Sequence, residues 1–131
     1  HTDLAVELQD LSNGAESYLD AAAIQETLKN LLNNAADAIA DSDNRGCGAI
    51  TLRLETRMRW LSIQVQDNGK GMSEEECARV FEPFYTTKSS TTNWGIGLSY
   101  CYNVIYYHGG QMQVKSAPGV GTTFELFLPC A

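Results

Sequence analysis

The sequence has few basic residues. Nine lysines and arginines stand against 16 aspartates and glutamates, so the chain of 131 residues carries a net charge of −7 and has a pI near 4.6. Binding to nucleic acid requires a basic surface, and we therefore expect no nucleic-acid partner. An anionic ligand would have to be held mainly by backbone N–H groups, with a few nearby lysines or arginines.

The sequence also lacks long apolar runs and paired cysteines. No apolar stretch approaches the roughly 20 residues of a transmembrane helix, so we expect no direct membrane contact by this domain. Scattered cysteines are typical of reduced thiols, so we expect a cytoplasmic domain. The four cysteines are scattered and form no C-x-x-C pair, which speaks against zinc ligation and against a disulfide framework. Because residue 1 is histidine and not methionine, we expect the chain to be a segment cut from a longer protein.

Alternating apolar residues are present instead. The chain contains 44% hydrophobic residues, as a folded domain requires, and its length suits one domain over residues 1–131. Period-two alternation at 49–55 and 60–66 predicts two strands, joined by a short link into an antiparallel hairpin. The segments "QMQVKS" and "TTFELFLP" predict a second pair around the turn "APGVG", and "LAVELQ" is a weaker strand near the start.

Two segments have the periodicity of helices. Residues 21–41 predict an amphipathic helix, and a second helix is predicted from about Ile96 to His108, ending at Gly109 and Gly110. The apolar stripe of the first helix consists of Ile24, Leu28, Leu31, Leu32, Ala35 and Ile39. Strand pairs with helices between them predict an α/β sandwich, in which helices cover one face of a mixed, mostly antiparallel sheet.

The segment 72–95 differs from the rest. Ser73 followed by three glutamates resembles a capped helical turn, and a stretch rich in serine and threonine, without periodicity, follows Pro83. A loop of this length inside a compact domain is usually functional or mobile. We therefore predict a lid over about residues 72–95.

Three motifs admit both a functional and a structural interpretation. Asn30, Asn34 and Asp37 share the polar side of the first helix. Their short side chains either provide oxygens for a hydrated Mg²⁺ or are part of an ordinary solvated helix face. The segment "NWGIGLS" (93–99) offers N–H groups at a helix start to an anion, or is a hinge. The segment "DNGKG" (67–71) presents its aspartate to a ligand, or is a plain turn.

In combination, these motifs follow the order of a known family. "LKNLLNNAADAI", "DNGKGM", "FEPFYTTK", "WGIGLSYCYNVIYYHGG" and "GVGTTFELFLP" resemble the N, G1, F, G2 and G3 boxes of the GHKL ATP-binding family. The resemblance extends from about residue 5 to residue 129 and is strongest to the catalytic ATP-binding domain of bacterial sensor histidine kinases. It implies the Bergerat ATP-binding fold, with ATP and Mg²⁺ as cofactors.

The resemblance also implies individual roles. Asp67 accepts a hydrogen bond from the adenine amino group, Asn34 binds Mg²⁺, and Asn30 and Lys88 act as catalytic residues at the phosphates. Phe81 and Phe84 anchor the closed lid. The full set of implied cofactor-binding residues is Asn30, Asn34, Asp67, Gly69, Lys70, Gly71, Met72, Phe81, Phe84, Lys88, Gly95, Ile96, Gly97, Leu98 and Thr122.

The sequence departs from the family pattern at three positions. Hydrolytic branches of the family carry a glutamate where this chain has Asn30, and an amide cannot act as a general base. Asn30 therefore favours phosphoryl transfer to an acceptor over hydrolysis. Asp37 lies in the region where sensor kinases often carry a lysine, and Asn93 replaces the first glycine of the G2 box. The last two departures put the efficiency of catalysis in question.

The implied function is transfer of the γ-phosphate of Mg-ATP to a histidine on a separate dimerisation domain, in two-component signal transduction. A response regulator and a membrane-anchored parent protein are also implied. Neither His1 nor His108 lies in a phosphoacceptor pattern, and a structural role at the end of a helix is expected for His108. Two alternatives stay open, a GHKL serine/threonine kinase of the anti-sigma-factor type and a nucleotide-binding pseudo-kinase that acts as an interaction module.

Overall fold

A five-stranded sheet forms one layer of the molecule. The structure, a computed structural model, describes residues 4–11, 20–43, 45–82 and 97–130. The strands are β1 (Leu4–Leu11), β2 (Gly48–Arg57), β3 (Trp60–Asp67), β4 (Gln111–Ala117) and β5 (Gly121–Pro129). They lie in the order β1-β2-β3-β5-β4, with β1 parallel to β2 and every other pair antiparallel. The predicted fold class, a mixed and mostly antiparallel sheet, is confirmed.

Within the described ranges, three α-helices accompany the sheet. They are α1 (Ala21–Ala40), α2 (Glu74–Arg79) and α3 (Gly97–Tyr107), and a short 3₁₀ turn (Arg45–Cys47) precedes β2. The predicted bounds of the two long helices are correct to within one residue. None of the helices in the described part of the chain is long and apolar enough to cross a membrane.

The alternation of apolar residues in the strands places the core on one face of the sheet. Val65 of β3 lies opposite Leu52 of β2 and Phe124 of β5, and Phe124 lies opposite Val114 of β4. This face packs against the apolar stripe of α1, in which Leu31 and Ile39 are almost fully buried. The fold therefore has two layers, with α1 and α3 covering the apolar face.

The other face of the sheet is polar. Across it, Arg53, Gln64, Glu125 and Gln113 lie side by side on four consecutive strands. Ser62 and Gln64 donate hydrogen bonds to the same carboxylate oxygen of Glu125, over 2.7 and 2.8 Å. Amphipathic strands of this kind cover a core on one side and leave solvated groups on the other.

Hydrogen bonds tie the first and last turns of the two long helices together. Asp20 caps α1 by accepting from the backbone N–H of Ala23 over 3.2 Å. The backbone N–H of Asp20 donates to Nε2 of His108 over 3.0 Å, and Nδ1 of the same ring lies 2.7 Å from the carbonyl of Val104. With Nε2 accepting from Asp20, Nδ1 is the ring nitrogen placed to donate to the Val104 carbonyl. The expected structural role of His108 is confirmed by these two hydrogen bonds.

The start of the predicted lid is well defined. Ser73 and Glu76 form a capping box, with Ser73 Oγ accepting from the Glu76 N–H over 3.2 Å and Glu76 Oε1 accepting from the Ser73 N–H over 2.9 Å. The predicted capped helical turn is thereby confirmed as α2. The rest of the predicted lid, residues 83–95, lies outside the described residues.

Candidate functional site

The carboxylate of Asp67 is buried at the end of β3. The residue is 6% exposed and shares the helix-covered face of the sheet with Ile50 on one side and Thr122 on the other. Its Oδ1 accepts a hydrogen bond from the Gly69 N–H over 2.8 Å. Burial raises the pKa of this carboxyl above its ordinary value, while backbone hydrogen bonds from Gly69 and Thr122 act in the opposite direction. A buried carboxylate with remaining acceptor capacity is typical of a binding site.

The turn after Asp67 is held against α1 by backbone contacts. A Cβ atom at Gly69 would lie 2.6 Å from the carbonyl carbon of Ala38, so only glycine allows this approach. The Lys70 N–H donates to the Ala38 carbonyl over 3.0 Å, and the Lys70 carbonyl accepts from the Gly119 N–H over 2.7 Å. Gly71 has a φ of +70°, which L side chains rarely adopt. The turn therefore joins α1 to the β4–β5 hairpin, and its conformation is fixed from both sides.

A hydroxyl network lies beside Asp67. In register, Thr122 is next to Asp67, and Ser116 is next to Thr122 on the following strand. The oxygens of Ser116 and Thr122 are 2.8 Å apart. Ser116 Oγ also lies 2.7 Å from the Met72 backbone nitrogen and 2.8 Å from the Gly121 carbonyl oxygen. The network links the β4–β5 hairpin to the end of the turn after Asp67.

Asn30 of α1 faces the start of α3. A Cβ atom placed at Gly97 would lie 3.6 Å from Oδ1 of Asn30, in ordinary contact, so this amide lies directly against the first turn of α3. Asn30 and Asn34 are both half-buried and one helical turn apart, whereas Asn33 and Asp37 are exposed. The structure thus brings Asn30 and Gly97 together, and Asp37 lies on an exposed part of α1.

Several apolar residues implicated by the sequence line the region between α2 and α3. The ring of Phe81 lies with its centroid 5.0 Å from that of Tyr102 and 6.2 Å from that of Phe124. Met72 is 7% exposed, and Leu98 is half-buried against the core. Phe81 therefore packs on α3 and on the sheet, near the end of the described range 45–82.

Lys70 occupies a different position from the asparagines. Its ammonium lies 3.7 Å from a carboxylate oxygen of Asp41, at the end of α1. Asn34 is seven residues earlier on the same helix, about 10 Å away along its axis. In this structure the Lys70 side chain is thus directed to the C-terminal end of α1. Four further candidates, Phe84, Lys88, Gly95 and Ile96, lie outside the described residues.

The described residues near Asp67 and Asn34 offer few charged ligands for a metal ion. In the part of the chain that the structure describes, no group of three or more His, Cys, Asp or Glu residues could hold a metal ion. A single amide oxygen such as that of Asn34 suits Mg²⁺, which retains waters and takes oxygens from a bound phosphate. The described residues therefore fit a Mg²⁺ ion that arrives with a nucleotide, and the His, Cys, Asp and Glu residues among them form no metal site of three or more ligands.

Three contributing residues were missed by inspection of the sequence. Ser116 joins the hydroxyl network, Ala38 receives the turn, and Asn68 accepts from the Ala49 N–H over 2.8 Å while donating to the Cys47 carbonyl over 3.1 Å. The strand register would have indicated Ser116, because pairing Asp67 with Thr122 places Ser116 next in the row. No sequence signal distinguishes Ala38 from the other alanines of α1.

Comparison with known proteins identifies the family. Residues 19–131 match the family model described as "Histidine kinase-, DNA gyrase B-, and HSP90-like ATPase". The chain is 35% identical over 114 residues to the sensor histidine kinase ZraS of Escherichia coli K12, covering 87% of this chain. It is 35% identical over 122 residues to the sensor protein FixL of Bradyrhizobium diazoefficiens, covering 92% of this chain. The chain therefore belongs to this ATPase family.

A solved structure agrees with this assignment. The mycobacterial sensor histidine kinase MprB is 25% identical to the chain and superimposes with a TM-score of 0.82, over 97% of this chain and 84% of the other. The chain spans 23% of the length of ZraS and of FixL. It thus corresponds to one part of these relatives.

Proposed function

We propose that the chain is the catalytic domain of a sensor histidine kinase, which binds Mg-ATP and transfers its γ-phosphate to a histidine on a separate dimerisation domain. The observation that carries the proposal is the geometry around Asp67. A buried carboxylate lies at the end of a strand, on the helix-covered face of the sheet, beside a turn that rests on the same helix as Asn30 and Asn34. A ligand with a hydrogen-bond donor at one end and a metal-bound anion at the other fits this arrangement.

Adenine recognition follows from the chemistry of the carboxylate. Asp67 in its charged form only accepts hydrogen bonds, and one oxygen already accepts from Gly69. The exocyclic amino group of adenine donates, so it satisfies the remaining capacity of the carboxylate. Guanine presents a carbonyl at the same position and would leave this remaining acceptor capacity of the buried carboxylate unfilled, at a cost of roughly 1–3 kcal/mol.

At the phosphate end, this chain supplies neutral groups from two helices. Asn34 would hold Mg²⁺ through its side-chain oxygen, and the ion would supply charge neutralisation for the phosphates. Asn30 would orient the phosphates next to Gly97 at the start of α3, where the first backbone N–H groups of the helix have no partner within the helix. Lys88 and Gly95 would complete this end of the site from the lid. Catalysis by such groups consists of positioning and charge stabilisation.

The chemistry of Asn30 favours transfer over hydrolysis. Activation of a water molecule needs a general base, and the Asn30 amide cannot take up a proton at neutral pH. Asp37, the next acidic residue along this side of α1, is exposed. The isolated chain should therefore bind ATP and turn it over slowly. The phosphate would pass to the histidine acceptor, contributed by a segment outside this chain, and then to a response regulator.

A phosphorylation assay on the parent protein tests the proposal. With ATP labelled at the γ-phosphate, the parent should acquire label that is lost in acid and retained in alkali, as expected for phosphohistidine. Asn34→Ala should abolish labelling, and Asn33→Ala, which alters an exposed neighbour on the same helix, should leave it unchanged. Label that survives acid would indicate a serine/threonine kinase. ATP binding without any labelling would indicate a pseudo-kinase, and either result would contradict the proposal.

A further inference from the structure

Ser116 has more hydrogen-bond neighbours than protons to donate. Its Oγ lies 2.7 Å from the Met72 nitrogen, 2.8 Å from the Gly121 carbonyl oxygen and 2.8 Å from Thr122 Oγ1. A serine hydroxyl donates one proton and accepts two hydrogen bonds. All three neighbours can therefore be satisfied at once, but only in one arrangement of protons.

The carbonyl of Gly121 determines that arrangement. A carbonyl oxygen can only accept, so the Ser116 proton is directed at Gly121. The Met72 N–H can only donate, and it takes one lone pair of Ser116. The contact between the two hydroxyls then forms only if Thr122 donates its proton to the second lone pair of Ser116. The hydroxyl proton of Thr122 is therefore used in the hydrogen bond to Ser116, and the Thr122 oxygen can only accept hydrogen bonds from other neighbours.

The direction of the Thr122 hydroxyl matters because Thr122 lies next to Asp67. The two residues are register partners on β5 and β3, both 6% exposed and both on the face of the sheet that the helices cover. Cβ atoms of such partners are about 5 Å apart, so one ligand group can contact both side chains. A charged carboxylate and a hydroxyl that can only accept will together bind a ligand group that donates hydrogen bonds and disfavour a ligand group that only accepts them.

We propose that Ser116 is a positioning residue that determines base specificity by fixing the Thr122 hydroxyl as an acceptor. The inference rests on the proposed function, because it assumes that a purine occupies the space beside Asp67. Adenine, with an amino group at carbon 6, satisfies both acceptors. Hypoxanthine, with a carbonyl oxygen at carbon 6, meets two acceptors and no donor. Without Ser116, the Thr122 hydroxyl is free to turn and donate to that carbonyl.

Binding of ADP and of IDP to Ser116→Ala measures the effect. These two nucleotides differ only at carbon 6 and the adjoining ring nitrogen, so the ratio of their Kd values isolates base recognition. The wild-type chain should bind ADP more tightly than IDP. In Ser116→Ala the ratio of Kd for IDP to Kd for ADP should fall about fivefold, the worth of one neutral hydrogen bond. Ser116→Thr, which keeps a hydroxyl, should restore the ratio.

A second serine in the sheet provides the matched control. Ser62 is fully buried on the polar face, and its hydroxyl donates to Glu125 over 2.7 Å. Ser62→Ala also removes a buried hydroxyl, so it should lower the midpoint of thermal unfolding but leave the ratio of Kd values unchanged. If Ser116→Ala does not fold, Ser116→Cys serves in its place, because the thiol fills similar space and is a weak hydrogen-bonding group.

The outcomes separate the two levels of inference. A wild-type chain that binds neither nucleotide would overturn the proposed function itself. A wild-type chain that binds both equally would overturn adenine selection at Asp67 together with the role of Ser116. A Ser116→Ala variant whose ratio of Kd for IDP to Kd for ADP equals that of the wild type would overturn only the role of Ser116. An equal fall of the ratio in Ser62→Ala would also overturn it, because the effect would then follow from general destabilisation.

Discussion

Replacement of Asp67 by asparagine should weaken nucleotide binding and stabilise the ligand-free fold. The carboxylate is 6% exposed, and burial raises its pKa above the ordinary value of 3.8. A group with a raised pKa in the folded state contributes stability that is complete below the unfolded pKa and lost as the pH rises through the folded pKa. At neutral pH the charged Asp67 therefore destabilises the fold, and a neutral amide of the same shape removes that cost.

The affinity should change in the opposite direction. A hydrogen bond to a charged group contributes about 1.5–3 kcal/mol, so its loss should raise the Kd for ADP by about 10- to 150-fold. The asparagine oxygen can still accept from the Gly69 N–H, which bonds to Oδ1 over 2.8 Å in the wild type. The turn should therefore persist, and the effect on binding should come from the ligand contact alone.

Thermal unfolding between pH 3 and pH 8, together with calorimetric titration of ADP, measures both effects. The unfolding midpoint of Asp67→Asn should exceed that of the wild type at pH 8, and the two midpoints should converge as the pH falls toward the ordinary carboxyl pKa of 3.8. An unchanged Kd for ADP would refute the assignment of Asp67 to the ligand. A variant that is less stable at every pH would refute the claim that burial of the charge is costly.

Three further results are expected. Gly69→Ala should destabilise the fold by about 1–3 kcal/mol and weaken ADP binding, because its Cβ would lie 2.6 Å from the Ala38 carbonyl carbon. Gly46→Ala, with no atom within 4 Å of the added Cβ, is the control for thermal unfolding. Equal unfolding midpoints of the two variants would contradict the packing argument. Burial raises the pKa of the Cys101 thiol to about 11, so iodoacetamide should label the exposed Cys47 at least about 100-fold faster than Cys101. Comparable labelling rates of the two cysteines in a peptide map would contradict this and show that Cys101 is accessible. Removal of Mg²⁺ with EDTA should weaken ATP binding strongly and adenosine binding hardly at all, since the chain carries a net charge of −7; equal loss for both ligands in calorimetry would contradict this separation.

The sequence predicted the elements of the fold because its periodic segments are long and locally consistent. The strands around Val65 and Phe124 alternate cleanly, and the stripe of α1 that includes Leu31 has a helical period, so pattern alone determined their type and their buried face. Even the weak strand β1 was identified, although its parallel pairing with β2 is a tertiary property that alternation does not encode.

The candidate site was less accessible from the sequence. Motif order indicated Asp67 and Asn30, because these residues lie in boxes with a characteristic order. The contact between Gly69 and Ala38 joins positions 31 residues apart, and no local pattern reports it. Ser116 follows from the register of three strands, which becomes known only when the hairpin turns are placed. Long-range backbone contacts and strand registers are thus the properties that single-sequence reasoning misses here.

The position of Asn30 relative to the first turn of α3 depends on the packing of α1 against α3. The thiol of Cys101 donates to the Thr27 carbonyl over 3.6 Å, and at the far ends of the two helices His108 accepts from the backbone of Asp20 over 3.0 Å. These contacts fix the separation of the helices, and the distance between Asn30 and the first turn of α3 follows from it. The turn that follows Asp67 contacts α1 at Ala38. Under the proposed function, a displacement of α3 would therefore alter the contact of Asn30 with the phosphates and leave the contact of Asp67 with the base in place. The proposal thus assigns base selection to the sheet and its turn, and phosphate positioning to the helix pair.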